Sequence, residues 1–239
     1  MNSDRKIAII SGILFIIGTV AGLLSVVSII EDPDYLIKVS ANEYQVIRGA
    51  FFQFIMAAAY VGIAITLYPI LRKYNEGLAL GFAGFRIIAA VFHMIGVISL
   101  VLLLTLSREF VKAGASDLSY FQTLGGLLRA GRDFVNHVAM ILAVSLGGLM
   151  FYYLLYQTKL VPRWLSGWGL MGTALTISAS LLLMFRLVGI MSTTYLALNL
   201  AMALQEMVLA VWFIVKGFYP SAIELSLSAT PSTSGGKTG

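Results

Sequence analysis

The feature that most constrains this chain is the apolar stretch at residues 77–106, GLALGFAGFRIIAAVFHMIGVISLVLLLTL. It exceeds the roughly 20 residues that a helix needs to cross a bilayer. It nevertheless contains Arg86 and His93, and a charged side chain at the bilayer centre costs about 2.5 to 3.5 kcal/mol on insertion scales. The stretch therefore predicts a membrane-spanning helix whose arginine needs a partner inside the protein.

The composition indicates that the whole chain belongs in a membrane. Of its 239 residues, 59% are hydrophobic and only 11% are charged, whereas about 25% of the residues of a soluble domain are charged. The absence of cysteine excludes disulfides, iron–sulfur clusters and thiolate metal sites. The net charge of +5 does not predict nucleic-acid binding, because the basic residues stand in pairs at the ends of apolar segments. The expected partner is the lipid bilayer.

Five further apolar stretches complete the predicted fold. We expect an all-α polytopic membrane protein with six transmembrane helices in one bundle, formed by residues 1–218. The predicted spans are residues 7–30, 47–71, 77–106, 133–156, 164–185 and 194–216. Residues 219–239 are rich in serine, threonine and glycine, which predicts a disordered tail.

The longest predicted loop, residues 107–132, contains one amphipathic segment. Ser116 and Asp117 could cap a short helix there, with Arg129 and Arg132 at the level of the lipid headgroups. The alternative is a lid over a cavity. The apolar face of this helix would consist of residues at helical spacing, Leu118, Phe121, Leu124 and Leu128.

The distribution of lysine and arginine predicts the orientation. With the N-terminus inside, the opposite side of the membrane receives the acidic 31–43 loop, the 107–132 loop and Arg186. We therefore expect a multi-pass protein of the cell membrane with both termini in the cytoplasm. The basic residues on the cytoplasmic side would be Arg5, Lys6, Arg72, Lys73, Lys159, Arg163, Lys216 and Lys237.

Spacing pairs the third predicted helix with the sixth. Arg86 and His93 are seven residues apart, as are Asn199 and Glu206, so each pair lies on one helix face about 10 Å apart. The two helices run in opposite directions, and Arg86 and Glu206 both lie about 14 to 15 Å from the same side of the membrane. We therefore predict Arg86 beside Glu206, and His93 beside Asn199.

These four residues, which we call the polar seam, allow two interpretations. The opposite charges could fix the helix register and do nothing more. The seam could instead line a polar cavity for a ligand, a proton or an ion. A second group of polar residues is predicted near the outer side of the membrane, and it comprises Arg48, Gln53, Asn136 and His137.

His93 and His137 raise the question of a bound metal. On the predicted spans, His137 lies about one turn from the outer end of its helix and His93 about 20 Å from the end of its own, so the two imidazoles are not expected to face one iron. Neither haem nor zinc is expected, and no catalytic residue is assigned. The sequence has no G-x-S-x-G, H-E-x-x-H or Walker motif, so an enzyme would need an unusual site.

Glycine-rich helix faces predict close helix packing. Gly18 and Gly22 stand in a G-x-x-x-G spacing, which lets another helix backbone approach. Such faces could pack inside the bundle, against a second membrane protein or against another copy of this chain.

Four segments of the sequence carry a family resemblance: RKIAIISGILFIIGTVAG, LYPILRKYNEGLALGFAGFRIIAA, YYLLYQTKLVPRWLSGWGLMG and QEMVLAVWFIVKGF. Together they resemble the bacterial membrane family catalogued as domain of unknown function 4386, over roughly residues 5–218. The resemblance implies a multispanning bacterial membrane protein and no particular reaction. Its motifs are Phe85-Arg86, Val161-Pro162-Arg163 and the ending Glu206, Leu209, Trp212, Lys216, Gly217.

Three functional hypotheses follow from these features. The first is a protein that binds or transports a small polar or amphiphilic ligand at the seam, which predicts a cavity open to one side. The second is a structural or regulatory membrane component with a dry, fully packed seam. The third is a membrane-embedded enzyme, in which His93 or His137 would converge with a carboxylate.

Overall fold

The computed structural model describes residues 3–114 and 118–219, and all regular structure in this part of the chain is helical. The predicted cap at Ser116 and Asp117 and the predicted tail beyond residue 219 lie outside the described residues. The α-helices are α1 (Ser3–Leu24), α2 (Tyr35–Ala41), α3 (Glu43–Leu71), α4 (Glu76–Lys112), α5 (Leu118–Phe134), α6 (Met140–Thr158), α7 (Arg163–Met184) and α8 (Thr193–Val215). A 3₁₀ helix forms at Ser28–Glu31, and a π-helical segment at Val135–Ala139 joins α5 to α6.

Six helical stretches are long and apolar enough to cross a membrane. They are α1, α3, α4, the continuous stretch Ser119–Thr158, α7 and α8. The predicted all-α class with six spans is therefore confirmed for the described residues. Their apolar surfaces suit a lipid bilayer, as expected for a multi-pass membrane protein.

The spanning helices close into a ring. The contacts follow the order α1, α3, α4, α6, α7, α8 and back to α1. Because successive spans alternate in direction, every helix in this ring lies antiparallel to both neighbours. Helices α4 and α8 stand on opposite sides of the ring, so a contact between them must cross its interior.

The ring is packed tightly at its proximal end, where α1 begins and α8 ends. Arg5 donates hydrogen bonds to the carbonyl oxygens of Phe213 at 3.0 Å, Ile214 at 2.6 Å and Val215 at 3.1 Å, which satisfies the last carbonyls of α8. Helix α8 ends at Val215, one residue before the end of the predicted span, and Gly217 adopts a φ of +75° and donates its N–H to Trp212 O at 3.1 Å.

Small residues in α1 set its distance from both neighbours. Gly18 and Gly22 face α3, where a Cβ on Gly18 would lie 3.6 Å from Ala59 Cβ. The closest approach is at Gly12, outside the predicted motif, where a Cβ would lie 2.6 Å from Ala210 O of α8. The G-x-x-x-G pair therefore serves packing within the bundle.

At the distal end of the bundle, opposite to the proximal end, the helices extend further than the predicted spans. Helix α4 continues to Lys112, and the segment expected to lie in the interface is the first part of the continuous Ser119–Thr158 stretch. Its apolar face packs on α4, since the Phe121 ring lies 5.4 Å from that of Phe110. The predicted third span was shorter because the charged residues at positions 108, 109 and 112 were interpreted as loop. All three instead take part in ion pairs, Arg108 with Glu43 of α3 and Lys112 with Glu109.

Candidate functional site

Arg86 lies at the centre of the ring. Its side chain is 2% exposed, and its Nη2 atom is 3.6 Å from Glu206 Oε1 of α8. The predicted contact between these two residues is present, although α4 and α8 are not neighbours in the ring. The long arginine side chain spans the interior and joins opposite walls of the bundle.

Aromatic rings complete the surroundings of the Arg86 guanidinium. The centroids of Phe15, Tyr60 and Phe82 lie 5.1, 5.2 and 5.4 Å from its Cζ atom. These rings come from α1, α3 and α4, so the cation is held by four helices once Glu206 is included. A guanidinium over an aromatic face gains about 0.5 to 2 kcal/mol, which offsets part of its desolvation.

For the second predicted contact, between His93 and Asn199, the structure gives each residue another polar partner. His93 faces the π-helical segment, where Asn136 is its polar neighbour, and its ring lies 5.7 Å from that of Tyr60. Asn199 donates instead to Tyr195 O of its own helix at 2.8 Å. Matching depths alone could not predict this, because a histidine is too short to cross the ring as Arg86 does.

Arg86 and Glu206 line an inner cavity of about 280 Å³. All six spanning helices contribute to its walls, which are mostly apolar. The polar groups other than the ion pair come from Thr19, Tyr60, Ser145, Thr173, Thr176 and Asn199.

An outer cavity of about 410 Å³ adjoins the inner one toward the distal end. The two cavities share lining residues, including Met56, Met140, Ile141 and Asn199. His93 lines the outer cavity, so the structure divides the polar seam, with Arg86 and Glu206 in the inner cavity, His93 in the outer cavity and Asn199 at their junction.

Three members of the predicted outer-side polar group meet at the outer cavity, namely Gln53, Asn136 and His137. Arg48 does not join them, because its side chain is exposed. His137 Nδ1 lies 3.1 Å from the Tyr195 hydroxyl, and the Ser180 hydroxyl donates to His137 O at 3.0 Å. The π-helical segment thus fixes two successive polar residues, Asn136 and His137, in the cavity wall, and π segments are frequent at functional sites.

Sequence reasoning missed Arg132 at this site. It was expected at headgroup level, but its side chain is 8% exposed, lines the outer cavity and pairs with Asp133 at 3.0 Å. The available signal was helical spacing, because Arg132 follows Leu128 by four residues and so falls on the apolar face of residues 118–128. A helix that is continuous through this region carries Arg132 into the bundle.

The structure also overturns the depth argument that separated His93 from His137. Both line the outer cavity, because α4 is longer than predicted and His137 lies deep within the Ser119–Thr158 stretch. Within residues 3–114 and 118–219, no group of three or more histidine, aspartate or glutamate residues is placed to hold a metal ion. The lining of the outer cavity therefore contains two imidazoles and the carboxylate of Glu31, which are not grouped as a set of three metal ligands.

Comparison with known proteins gives a family and no close relative. The model of a family described as "Domain of unknown function (DUF4386)" matches residues 10–217. Neither a curated protein nor a solved structure matches the chain.

Proposed function

The chain belongs to the DUF4386 family, whose description assigns no activity, and from its site we propose that it binds a small amphiphilic molecule inside the membrane. The observation that carries the proposal is the pair of adjoining cavities, of about 280 and 410 Å³, at the centre of the helical ring. Ligand pockets are concave, mostly apolar and furnished with a few polar groups, and they measure about 300 to 1,000 Å³. A structural component with a dry core would have a packed ring at this level.

The polar groups of the inner cavity favour an occupant that makes hydrogen bonds. Within the described residues, no group hydrogen-bonds to Arg86 Nε, and the guanidinium meets Glu206 at 3.6 Å, beyond ordinary hydrogen-bond length. An arginine has five N–H donors, so several are free for a ligand.

The charges around the two cavities favour an occupant without net charge. Arg86 pairs with Glu206, Arg132 with Asp133, and Arg129 with Glu31, at 3.6, 3.0 and 3.2 Å. Each charge is already balanced by its partner, so a charged ligand would leave one group in excess at low dielectric.

The rim of the inner cavity suggests entry from the lipid. Leu23 of α1 is 72% exposed and Ala203 of α8 is exposed, and both line this cavity. Nearer the proximal end the same two helices are closed by Gly12 against Ala210. We therefore place the entrance between the distal parts of α1 and α8, which suits a molecule dissolved in the bilayer.

A cavity-filling variant tests the proposal. We expect Ile141→Trp to abolish retention of small molecules, because Ile141 lines both cavities and an indole would occupy their junction. The protein would be purified in lipid nanodiscs, and the compounds enriched over protein-free nanodiscs would be identified by mass spectrometry.

The matched control is Ile98→Trp, the same replacement at a lipid-facing position that is 58% exposed. This variant should retain the same compounds as the wild-type protein. If no compound is enriched in the wild-type protein, or if both variants retain it equally, the ligand-binding function is wrong and the structural hypothesis takes its place.

We further propose that both termini are cytoplasmic and that the protein resides in the cell membrane. The proximal end carries Arg72 and Lys73. The proximal basic residues have few acidic partners, whereas many distal basic residues are paired with acidic ones.

Because the chain has no cysteine, cysteines introduced one at a time can report the topology. A membrane-impermeant maleimide should label Lys38→Cys on intact cells and Lys73→Cys only after permeabilisation; both lysine side chains are about half exposed. The reverse pattern would invert the topology.

A further inference from the structure

In the described residues, five of the nine buried side-chain N and O atoms without a hydrogen-bond partner belong to residues that line the outer cavity. As whole residues, Gln53, His93, Arg132 and Asn136 are 3, 4, 7 and 5% exposed. Among residues 3–114 and 118–219, no group forms a hydrogen bond of ordinary geometry with Gln53 Oε1, Arg132 Nε, Asn136 Oδ1 or either ring nitrogen of His93, and the polar neighbour of His93 is the Asn136 side chain in the same cavity wall. All four side chains line the same cavity.

Burying such atoms lowers the stability of the folded protein unless a hydrogen-bond partner binds them. A buried donor or acceptor without a partner costs about 1 to 3 kcal/mol, and folded proteins contain few of them. Here they come from α3, α4, α5 and the π-helical segment and meet at one cavity. Of the other such atoms in the described residues, Arg86 Nε and Thr176 Oγ1 belong to the inner cavity, and Ser11 Oγ and Trp212 Nε1 lie outside both cavities.

The position of Asn136 shows that the arrangement is built into the fold. The Asn136 amide occupies the space that a Cβ on Gly96 would take, so the glycine in α4 is what admits this side chain. Any larger residue at position 96 would push the amide out of the cavity wall. The polar group therefore depends on a specific small residue in the neighbouring helix.

We infer that the outer cavity binds the uncharged, hydroxylated headgroup of a membrane amphiphile, such as that of a monoacylglycerol. Gln53 Oε1 and Asn136 Oδ1 accept hydrogen bonds, Arg132 Nε donates, and a neutral imidazole at His93 offers one donor and one acceptor. A hydroxyl group both donates and accepts, so two or three hydroxyls satisfy this mixed set.

Charged headgroups match the site less well. A carboxylate only accepts, and a phosphate monoester keeps less than one proton near neutral pH, so either would face the carbonyl oxygens of Gln53 and Asn136 with little or no proton to share. A quaternary ammonium donates nothing and would lie beside Arg132. The two arginines nearest this cavity are already paired with Asp133 and Glu31, at 3.0 and 3.2 Å.

The inference rests on the proposed function and refines it by naming the headgroup. The outer cavity, at about 410 Å³, holds a glycerol-sized group with room to spare. The acyl chain would extend past the shared lining at Met56 and Ile141 and leave the bundle between α1 and α8.

The experiment compares three amphiphiles with the same alkyl length: monolauroylglycerol, dodecyl phosphate and dodecyltrimethylammonium. Binding to the full-length protein would be measured by native mass spectrometry after release from micelles. We expect monolauroylglycerol to bind at least about tenfold more tightly than either charged compound, since about 1.4 kcal/mol separates a satisfied group from an unsatisfied one.

Two variants identify the groups that bind. Gln53→Leu and Asn136→Leu should each weaken monolauroylglycerol binding about tenfold. Gln45→Leu, on the same helix as Gln53 and outside the cavity lining, should leave it unchanged. Without added amphiphile, Gln53→Leu should not lower the melting temperature, because it removes an acceptor that has no protein partner.

The possible results separate the two proposals. If a charged compound binds as tightly as monolauroylglycerol and Ile141→Trp abolishes both, the headgroup assignment is wrong and ligand binding stands. If Gln53→Leu and Asn136→Leu bind monolauroylglycerol like the wild-type protein, these groups serve only ordered water. If no compound binds and Ile141→Trp changes nothing, both proposals fail.

Discussion

Replacing Arg86 by methionine is expected to lower the stability of the folded protein by about 3 kcal/mol or more. The variant leaves Glu206 inside the ring without the guanidinium that lies 3.6 Å from it. It also removes the cation from the faces of Phe15, Tyr60 and Phe82. The measurement is the apparent melting temperature in a mild detergent, together with the yield of folded protein.

Two further variants show whether the loss arises from the unpaired charge. The double variant Arg86→Met with Glu206→Met should recover most of the lost stability, since replacing both members of a buried ion pair by apolar residues is often neutral. Arg48→Met, which changes an exposed arginine of α3, should have little effect. An Arg86→Met protein that melts like the wild type would show that the pair does not stabilise the bundle.

The same double variant distinguishes the two interpretations of the polar seam. If the ion pair serves only to fix helix register, the folded double variant should retain the ligands of the wild-type protein. If Arg86 and Glu206 bind the ligand directly, the double variant should fold and lose them. The compounds retained in nanodiscs provide this measurement.

The second large effect is expected at Gly169 in α7, where alanine should destabilise the protein by about 1 to 3 kcal/mol. The added methyl group would overlap the ring of Tyr152, which is fully buried and rigid. This ring cannot move aside freely, because its hydroxyl donates to Gln205 Oε1 at 2.8 Å and Gln205 Nε2 donates to Leu165 O at 3.1 Å. The clash would therefore disturb α6, α7 and α8 together.

Gly167→Ala is the control for this prediction. It makes the same change one half-turn earlier in α7, where no atom lies within 4 Å of an added Cβ. Its melting temperature should equal or slightly exceed that of the wild-type protein, because alanine favours a helix more than glycine does. Equal melting temperatures for the two alanine variants would contradict the packing at Gly169.

Much of the fold could be predicted because the bilayer leaves few choices. A backbone in hydrocarbon must satisfy its own hydrogen bonds, so each long apolar stretch predicts a helix. The contact between Arg86 and Glu206 could also be predicted. Two opposite charges at one depth reduce the free-energy cost of placing each charge inside the membrane, and an arginine side chain is long enough to reach across a bundle.

The rest of the site could not be predicted, because the spacing of residues along the sequence does not give the distances between helices. His93 was assigned to Asn199 by depth alone, whereas the ring order places the π-helical segment beside α4 and brings Asn136 to it. Arg132 was assigned to the interface because basic residues commonly lie at headgroup level. Its burial follows from a continuous helix and from the partner Asp133 at the next position.

By itself, the sequence determined the number and type of the spans and the need for an internal partner for Arg86, because these follow from hydropathy and from position along a single helix. Only the tertiary structure decided which helices are neighbours, and with them the two cavities and the cluster of buried polar atoms around the outer one. The physical reason is that helix order in the ring is set by close approach at particular small residues. Gly12 admits α8, Gly96 admits the Asn136 amide and Gly169 admits the Tyr152 ring, and none of these partners can be inferred from spacing within one helix.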